Sequence, residues 1–261
     1  MLVEFDGSPF SGWQKQANAP SVQQHIQEAL AVIEGRHVQV VAAGRTDAGV
    51  HAEAMIAHAD VSAGRWQCSD RAYVHGTNSH LPESIRIVAV RAVAPDFHAR
   101  FDCRERAYTY RIWNRTTASA LHAWRHWWMP RHLDVDRMRE AAAHVKGRHD
   151  FSALRAAGCQ ASGAVRTIRE LNIWRDGCEV CISVRADAFL YHMVRNLVGN
   201  LVEAGIGKMT PAAFGELIDS GDRKLGAATA PAHGLYFADA VYDDFAARRM
   251  LEAEAAKGSV V

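Results

Sequence analysis

The fold of this chain is decided around the apolar run Val38-Gln39-Val40-Val41-Ala42-Ala43 and the loop that follows it, Gly44-Arg45-Thr46-Asp47-Ala48-Gly49-Val50-His51-Ala52. The apolar run predicts a buried strand that ends at Gly44. Glycines 44 and 49 allow turns that direct Arg45 and Asp47 outward from a rigid strand end. Such loops often carry catalytic groups. The same spacing is also typical of a surface turn in which Arg45 and Asp47 pair with each other.

Outward from this loop, the first half of the chain predicts the order strand, helix, strand, strand, helix, strand. The first helix begins at Ser21, which has capping-box spacing to Gln24, and it ends at Gly35. The second helix is predicted at Ser69–Ser79. The strands are predicted at Leu2–Phe5, Val38–Ala43, Met55–Val61 and Ile85–Val93.

The second half mixes strands and helices in the same way. A hairpin turns around Asp176-Gly177, and the residues beyond Phe245 predict either a short helix or a frayed tail. Short turns between neighbouring strands favour an α+β fold over a parallel doubly wound sheet. The predicted strands are Arg106–Trp113, Thr167–Trp174, Glu179–Arg185 and Leu235–Val241, and the helices are Asp134–Val145, Tyr191–Ala204 and Pro211–Ser220.

The composition excludes several classes of protein. Nearly half of the 261 residues are apolar, yet no run approaches the ~20 residues that span a bilayer. The start of the chain carries Glu4 and Asp6, unlike a secretory signal peptide. We therefore expect a cytoplasmic protein without a membrane segment.

The cysteines and histidines predict neither a disulfide framework nor a metal site. Five cysteines are scattered over the chain, and the fourteen histidines form no recognisable ligand cluster. Cys178 and Cys181 have C-x-x-C spacing, but they lie in an alternating, strand-like stretch. Positions three apart in a strand point to opposite faces, so we expect no metal there.

The formal net charge of +1 is unlike that of a typical nucleic-acid-binding domain, but the charge is unevenly distributed. Residues 98–131 contain seven arginines and only two acidic residues, interleaved with tryptophans and tyrosines. Arginine beside aromatic rings suits RNA phosphates and base faces. The alternative is a solvated strand face whose tryptophans lie in the core.

Six motifs occur in order over nearly the whole chain, and together they resemble the tRNA pseudouridine synthase A family. Leu154 departs from the family pattern, in which an aromatic residue is common at this position. The motifs are Phe5–Ser8 with Phe10, Gly12-Trp13-Gln14 and Gln16; Gly44–Ala52; Arg106–Tyr110; His149–Ser152 with Cys159-Gln160 and Val165–Ile168; Ala188–Asn196; and Ala230–Tyr236.

The resemblance implies the pseudouridine synthase fold. In this α+β fold, two halves share a largely antiparallel sheet with a central RNA-binding cleft, and the protein is a homodimer. We expect an N-terminal subdomain at 1–100 that carries the Asp47 loop. A C-terminal subdomain is expected at 101–245, followed by a tail at 246–261.

The resemblance also implies the reaction. The family isomerises uridine to pseudouridine in the anticodon stem-loop of tRNA, at positions 38, 39 and 40 (tRNA numbering). The N1–C1′ bond breaks and the uracil rejoins through C5, with no redox change and no group lost, so we expect no cofactor and no metal. Asp47 matches the catalytic aspartate. Attack at C1′, addition to C6 and removal of the 2′-hydrogen remain open.

The remaining site residues are carried over from the same motifs. Arg195 matches the arginine that keeps the aspartate ionised, against the preference of a desolvated carboxylate for its neutral form. Tyr108 matches the tyrosine that stacks on the target uracil, and its hydroxyl is expected to serve in proton transfer at C5. Tyr110 lies on the same strand face by alternation and is expected to support Tyr108 by packing and, with His192, to bind substrate. Arg45 is expected to fill the space that a flipped uridine leaves.

Two other functions compete with this interpretation. The first is a non-catalytic RNA-binding module, which would not require Asp47, Tyr108 and Arg195 together. The second is a hydrolase with Asp47 as nucleophile, for which no histidine or second carboxylate at motif spacing supplies a general base.

Overall fold

A computed structural model describes residues 1–62 and 69–257 of the chain. The chain divides into two units: the first joins Met1–Arg104 to the residues from Tyr236 onward, and the second is Glu105–Leu235. These boundaries differ from the expected ones, because the last strand and the helix after Phe245 belong with the N-terminal residues. Residues 258–261 of the expected tail lie outside the described residues.

The described elements alternate between strands and helices, so the α+β class is confirmed. The strands are β1 (Leu2–Phe5), β2 (Val40–Ala42), β3 (His51–Ala59), β4 (Ile85–Ala89), β5 (Glu105–Asn114), β6 (Trp127–Met129), β7 (Gly147–Asp150), β8 (Val165–Asp176), β9 (Glu179–Ala186) and β10 (Leu235–Val241). The helices are α1 (Val22–Glu34), α2 (Asp70–Asn78), α3 (Val135–Ala143), α4 (Met193–Gly205), α5 (Pro211–Ser220) and α6 (Ala247–Lys257). Within the described residues, no helix is long and apolar enough to cross a membrane.

The sheet of the first unit has the strand order β4-β1-β3-β10, with β2 on β3. Strand β1 is antiparallel to both neighbours, and Leu2 lies opposite Ile56 of β3 and Ala89 of β4. Strand β10 is parallel to β3, with Tyr236 opposite His51. The predicted order of the first half is confirmed, but β3 begins at His51 rather than Met55. Its first residues pair with a strand from the far end of the chain, which local periodicity does not reveal.

Helix α1 braces the strand that leads into the Asp47 loop. The hydroxyl of Ser21 accepts the N–H of Gln24 at 3.3 Å, and Gly35 ends the helix in the left-handed region with φ 68°. The side chain of Gln24 donates to Glu28 instead of returning to Ser21, so only one half of a capping box forms. The buried Gln23 side chain donates to the carbonyl of Val40 at 2.8 Å and thereby ties α1 to β2.

The second unit has the strand order β5-β9-β8-β7, antiparallel throughout, with the short strand β6 parallel to β5. The hairpin between β8 and β9 turns around Asp176-Gly177 as predicted, and Gly177 has φ 53°. Strands β6 and β7 were not predicted. They have three and four residues, too few for an alternating pattern to stand out.

Helix α4 is buried over most of its surface and forms the central helix of the second unit. It begins at Met193 rather than at the predicted Tyr191, because His192 adopts a left-handed conformation with φ 59° and ψ 7°. A helix cannot pass through such a residue. Arg195 therefore lies in the first turn of α4, and the chain turns at His192 before the helix begins.

Candidate active site

The Asp47 loop lies in the first unit between β2 and β3. Arg45 is exposed, Thr46 is buried and Asp47 is partly buried, so the side chains alternate between solvent and the body of the unit. The N–H of Val50 donates to the carbonyl of Asp47 at 3.1 Å and closes the turn. The loop thus presents a guanidinium to solvent and holds a carboxylate on a short, hydrogen-bonded turn.

The N-terminal motif supports this loop directly. The N–H of Trp13 donates to the carbonyl of Thr46 at 3.1 Å. A Cβ added to Gly12, whose φ is 94°, would lie 2.5 Å from that carbonyl oxygen, and one added to Gly7 would lie 2.0 Å from the carbonyl oxygen of Val50. Since real Cβ atoms do not approach backbone atoms this closely, only glycine fits at either position. The ring of Trp13 is buried, which gives it a structural role.

His51 is a supporting residue to which the sequence motifs assign no role. Its ring is buried and stacks on Tyr236, with centroids 4.7 Å apart and an interplanar angle of 23°. Its Nδ1 lies 3.0 Å from the N–H of Gly7 and 3.1 Å from a carboxylate oxygen of Asp6. Depending on which ring nitrogen holds the proton, Nδ1 accepts from Gly7 or donates to Asp6. Either arrangement ties His51, the first residue of β3, to the turn that follows β1.

In the second unit, Tyr108 and Tyr110 lie two residues apart on β5, and both are buried. Phe189 packs against Tyr108 edge-to-face, with ring centroids 5.1 Å apart and an interplanar angle of 89°. Phe189 belongs to the same motif as Arg195, so this contact joins β5 to the segment that enters α4.

Tyr110 is enclosed by the second unit. It is 0% exposed, and its hydroxyl donates to the carbonyl of Pro231 at 2.7 Å. Burial raises the pKa of Tyr110 well above its usual range. A Cβ on Gly234 would lie 2.7 Å from the tyrosine ring. Because the ring and the hydroxyl are both engaged inside the unit, this position fits the packing role expected for Tyr110 better than direct contact with substrate.

Arg195 is partly buried in the first turn of α4. Its Nε donates to the carbonyl of Ala230 at 2.8 Å, and the N–H of Ala230 donates to the carbonyl of Arg195 at 3.2 Å. His192, at the N-cap, is partly buried, and its ring centroid lies 3.9 Å from that of Tyr191. A left-handed conformation at a residue other than glycine costs about 1 kcal/mol, and such residues cluster at functional sites.

The predicted site residues fall into two groups. Arg45 and Asp47 share one loop of the first unit, whereas Tyr108, His192 and Arg195 belong to the second unit. Within the second unit, the contact between Tyr108 and Phe189 brings the strand and the helix entry together.

Residues 98–131, which are rich in arginine and aromatic residues, were predicted to be either an RNA-binding surface or a solvated strand face with tryptophans in the core. The structure has features of both. Arg104 forms an exposed two-bond pair with Asp243, at 3.0 and 2.9 Å. Some of the positive charge is therefore neutralised within the protein. Trp124 is 71% exposed and Trp128 is 44% exposed, so these two rings are available at the surface of the second unit.

Among residues 1–62 and 69–257, no three His, Cys, Asp or Glu side chains are grouped so that they could hold a metal ion. Cys178 lies in the turn before β9, and Cys181 is buried within that strand. Burial and the neighbouring Glu179 raise the pKa of the Cys181 thiol to about 12. This thiol is therefore protonated at neutral pH and is a poor metal ligand.

Comparison with known proteins identifies the family. The family model for tRNA pseudouridine synthase matches residues 1–102 and 141–243. The chain belongs to this family. The matched ranges include Asp47, His192 and Arg195, whereas Tyr108 and Tyr110 lie between them. The resemblance seen in the six motifs is confirmed.

Individual relatives match over nearly their whole length. The tRNA pseudouridine synthase A of Rhodospirillum centenum is 46% identical over 243 residues, which cover 93% of this chain and 98% of that protein. The protein of the same name from Methylococcus capsulatus is 43% identical, with coverage of 93% and 88%. That from Francisella tularensis is 37% identical, with coverage of 96% of both chains. A chain in the crystal structure of a Cbf5-Nop10-Gar1 complex is 12% identical, with a TM-score of 0.35 over 78% of this chain and 53% of that one.

Proposed function

We propose that this protein isomerises uridine to pseudouridine in the anticodon stem-loop of tRNA, at positions 38, 39 and 40, with Asp47 as the catalytic nucleophile. Family membership supports the class of reaction, and the names of the relatives support tRNA as the substrate. The observation that carries the proposal is the Asp47 loop, in which a partly buried carboxylate sits on a turn braced by the N-terminal motif.

The geometry of the loop suits a nucleophile. A carboxylate that attacks carbon must be held close to the reacting atom, and a rigid loop provides this positioning before substrate arrives. Partial burial removes part of the hydration shell of the carboxylate, which would otherwise lower its nucleophilicity. The three routes, through C1′, C6 or the 2′-hydrogen, all begin with this one side chain.

The other site residues have supporting roles in the proposal. Tyr108, whose ring packs perpendicular to that of Phe189, stacks on the target uracil. Arg195 is the cation that keeps Asp47 ionised, and His192 contacts the substrate at the start of α4. Arg45, exposed on the same loop as Asp47, fills the space left by the flipped uridine, whose unstacking costs a few kcal/mol.

The proposal includes partners and location. Arginines are expected to contact the phosphates of the tRNA backbone. Exposed aromatic rings such as that of Trp124 are expected to contact its bases. A homodimer and a cytoplasmic location are part of the same proposal, based on the resemblance of the motifs to the family.

The experiment uses the purified protein and transcripts of a tRNA with uridines at positions 38, 39 and 40, labelled with tritium at C5. Isomerisation releases the tritium, and transcripts with a cytidine at one position show which uridines react. We expect Asp47→Asn to bind the transcript as wild type does but to release no tritium. Asp96→Asn, which alters an exposed aspartate outside the loop, is the matched control and keeps full activity.

Two outcomes would reject parts of the proposal. Release of tritium by Asp47→Asn above about 1% of the wild-type rate would exclude Asp47 as the nucleophile. Binding of the transcript by wild type without any release would favour the non-catalytic RNA-binding module.

A further inference from the structure

A strap of residues 226–231 comes after α5 in sequence, forms no helix or strand of its own, and runs along α4. The N–H of Ala227 donates to the side-chain oxygen of Asn200 at 2.9 Å. A Cβ on Gly199 would lie 2.2 Å from the carbonyl oxygen of Ala228, so the strap touches the helix backbone itself. Further along, Ala230 exchanges hydrogen bonds with Arg195. The strap is therefore attached to successive turns of α4.

A buried polar cluster fixes the middle of the strap. Asn196 of α4 is 0% exposed, and its side-chain oxygen accepts the hydroxyl of Thr229 at 2.7 Å and the guanidinium of Arg223 at 3.0 Å. The side-chain nitrogen of Asn196 donates to the carbonyl of Leu154 at 2.8 Å. The guanidinium of Arg223 also reaches the hydroxyl of Thr229 at 3.3 Å. The amide of Asn196 is thus held at both ends and cannot rotate without breaking buried hydrogen bonds.

The cluster acts on Arg195 through the next residue of the strap. Ala230 follows Thr229, and its carbonyl accepts the Nε–H of Arg195 at 2.8 Å. Because Nε–H lies in the plane of the guanidinium, a bond at this position fixes the orientation of the whole planar group. A shift of Thr229 would move the Ala230 carbonyl and turn that plane.

The far end of the strap is also held. Pro231 accepts the hydroxyl of Tyr110 at 2.7 Å. Tyr110 lies on β5 two residues from Tyr108. The strap therefore connects the strand that carries Tyr108 to the helix turn that carries Arg195, within one unit of the chain.

We propose that the strap is a positioning device for Arg195, and that Thr229 is the residue that sets it through Asn196 and Arg223. The inference rests on the role proposed for Arg195 in uridine isomerisation. Thr229 touches no reacting atom and is a positioning residue.

The test replaces Thr229 with valine, which keeps the shape but removes the hydroxyl, and with serine, which restores the hydroxyl. Thr229→Val lowers kcat on the order of tenfold, with KM for tRNA unchanged, because the guanidinium is misplaced rather than lost. Thr229→Ser recovers most of the rate. The same pair is then made in an Arg195→Lys background, where no Nε–H exists to be oriented. There the valine substitution changes kcat less than twofold.

A second measurement does not depend on activity. In the 15N–1H spectrum of the full chain, the Nε–H of Arg195 is identified by its absence in Arg195→Lys. We expect this hydrogen to exchange slowly with solvent in wild type and in Thr229→Ser, and faster in Thr229→Val, since the bond to Ala230 is weakened.

Three results would overturn the positioning role: full activity of Thr229→Val, an equal loss in both Arg195 backgrounds, or unchanged exchange of the Arg195 Nε–H. A wild-type protein that leaves uridine unchanged while Nε–H exchange responds to Thr229→Val would instead contradict the proposed function. The strap would then still be shown to orient Arg195.

Discussion

Gly12 lies so close to Thr46 that a methyl group on Gly12 would sit 2.5 Å from the Thr46 carbonyl oxygen. The first residues of the chain and the Asp47 loop are thus packed backbone against backbone, although more than thirty residues separate them in sequence. Such contact leaves no side chain that could relax, so the position of Asp47 depends directly on the N-terminal motif.

Three glycine substitutions separate steric contact from backbone strain. Gly35→Ala meets no atom within 4 Å and bears only the cost of a φ of 68°, about 1 kcal/mol. Gly7→Ala meets the carbonyl of Val50 at 2.0 Å with no unfavourable φ, and Gly12→Ala has both a contact and a φ of 94°. We expect urea unfolding to show losses above about 2 kcal/mol for Gly7→Ala and Gly12→Ala.

The rate of uridine isomerisation shows whether a glycine substitution disturbs the Asp47 loop or only lowers stability. Gly35→Ala retains the wild-type rate of uridine isomerisation, whereas Gly12→Ala loses at least tenfold (an order-of-magnitude value) under conditions where it is still folded. Equal stability of Gly12→Ala and Gly35→Ala would mean that the loop is not held by the N-terminal motif.

The two tyrosines of β5 are expected to respond in opposite ways when their hydroxyls are removed. Tyr110→Phe deprives the Pro231 carbonyl of its donor, so we expect the free energy of unfolding to fall by about 1–2 kcal/mol. The loss of kcat is expected to be smaller than in Tyr108→Phe, because Asn196 and Arg223 still hold the strap at Thr229. Tyr108→Phe keeps the stacking ring but removes the hydroxyl, which is expected to serve in proton transfer at C5. We expect kcat to fall, with KM and stability nearly unchanged, as measured by tritium release and thermal unfolding.

The comparison between the two variants is internally controlled, because both lose one oxygen from the same strand. A loss of kcat in Tyr110→Phe as large as that in Tyr108→Phe would assign Tyr110 a direct role in the reaction and contradict its supporting role.

The stability of the protein is expected to depend on pH through His126. Burial lowers the pKa of His126 below its usual value, although Glu179, whose carboxylate lies 3.1 Å from its Nε2, acts in the opposite direction. The unfolded chain therefore binds a proton to His126 before the folded protein does as the pH falls. This contribution to stability is fully present above about pH 6.5 and is lost progressively below it.

Urea unfolding of wild type and His126→Gln between pH 5 and pH 8 (a window that spans the usual histidine pKa of about 6.5) measures this effect. We expect the stability of wild type to fall more steeply toward acid than that of the variant. Parallel curves for the two proteins would show that His126 titrates alike in the folded and unfolded states.

Arg195 is expected to act through its charge as well as its orientation. Arg195→Met keeps much of the side-chain bulk but removes the cation to which the proposed function assigns the ionisation of Asp47. We expect lower activity at neutral pH and partial recovery as the pH rises. Arg195→Lys keeps a point charge without the planar guanidinium and retains part of the rate.

The pH–rate profile decides between these roles. In Arg195→Met the acidic limb moves to higher pH, whereas in Arg195→Lys it stays near that of wild type. A profile for the Met variant that is scaled down without any shift would leave Arg195 as a positioning residue alone.

The elements that the sequence predicts best are those governed by local rules. Helix α5 and strand β10 have the predicted bounds. In α5 the hydroxyl of Thr210 accepts the N–H of Ala213 at the N-cap, Pro211 occupies the first helical position, and Gly221 ends the helix. The elements that it predicts poorly depend on distant partners. Strand β3 begins at His51 because it pairs with β10, and no local pattern at His51 reports a strand from the far end of the chain.

The candidate site follows the same rule. The exposure of Arg45 was predictable from the turn that carries it, whereas the role of Asp47 stays a prediction from the family motif. The burial of Tyr110 was not predictable, because alternation places it on the same face as Tyr108 without revealing that Pro231 and Gly234 cover it. The attachment of Thr229 to Asn196 was equally hidden, since two uncharged polar residues far apart in sequence leave no periodic signal.

The return of the last strand to the first unit has a consequence for synthesis on the ribosome. The second unit is continuous in sequence, so all of its strands have been translated before the first unit has received β10. Until then, His51 lacks the ring of Tyr236, and the strand that follows the Asp47 loop lacks its parallel neighbour. The Asp47 loop is therefore translated early, but its surroundings are completed late, and a nascent chain that stalls before Tyr236 lacks the ring that stacks on His51.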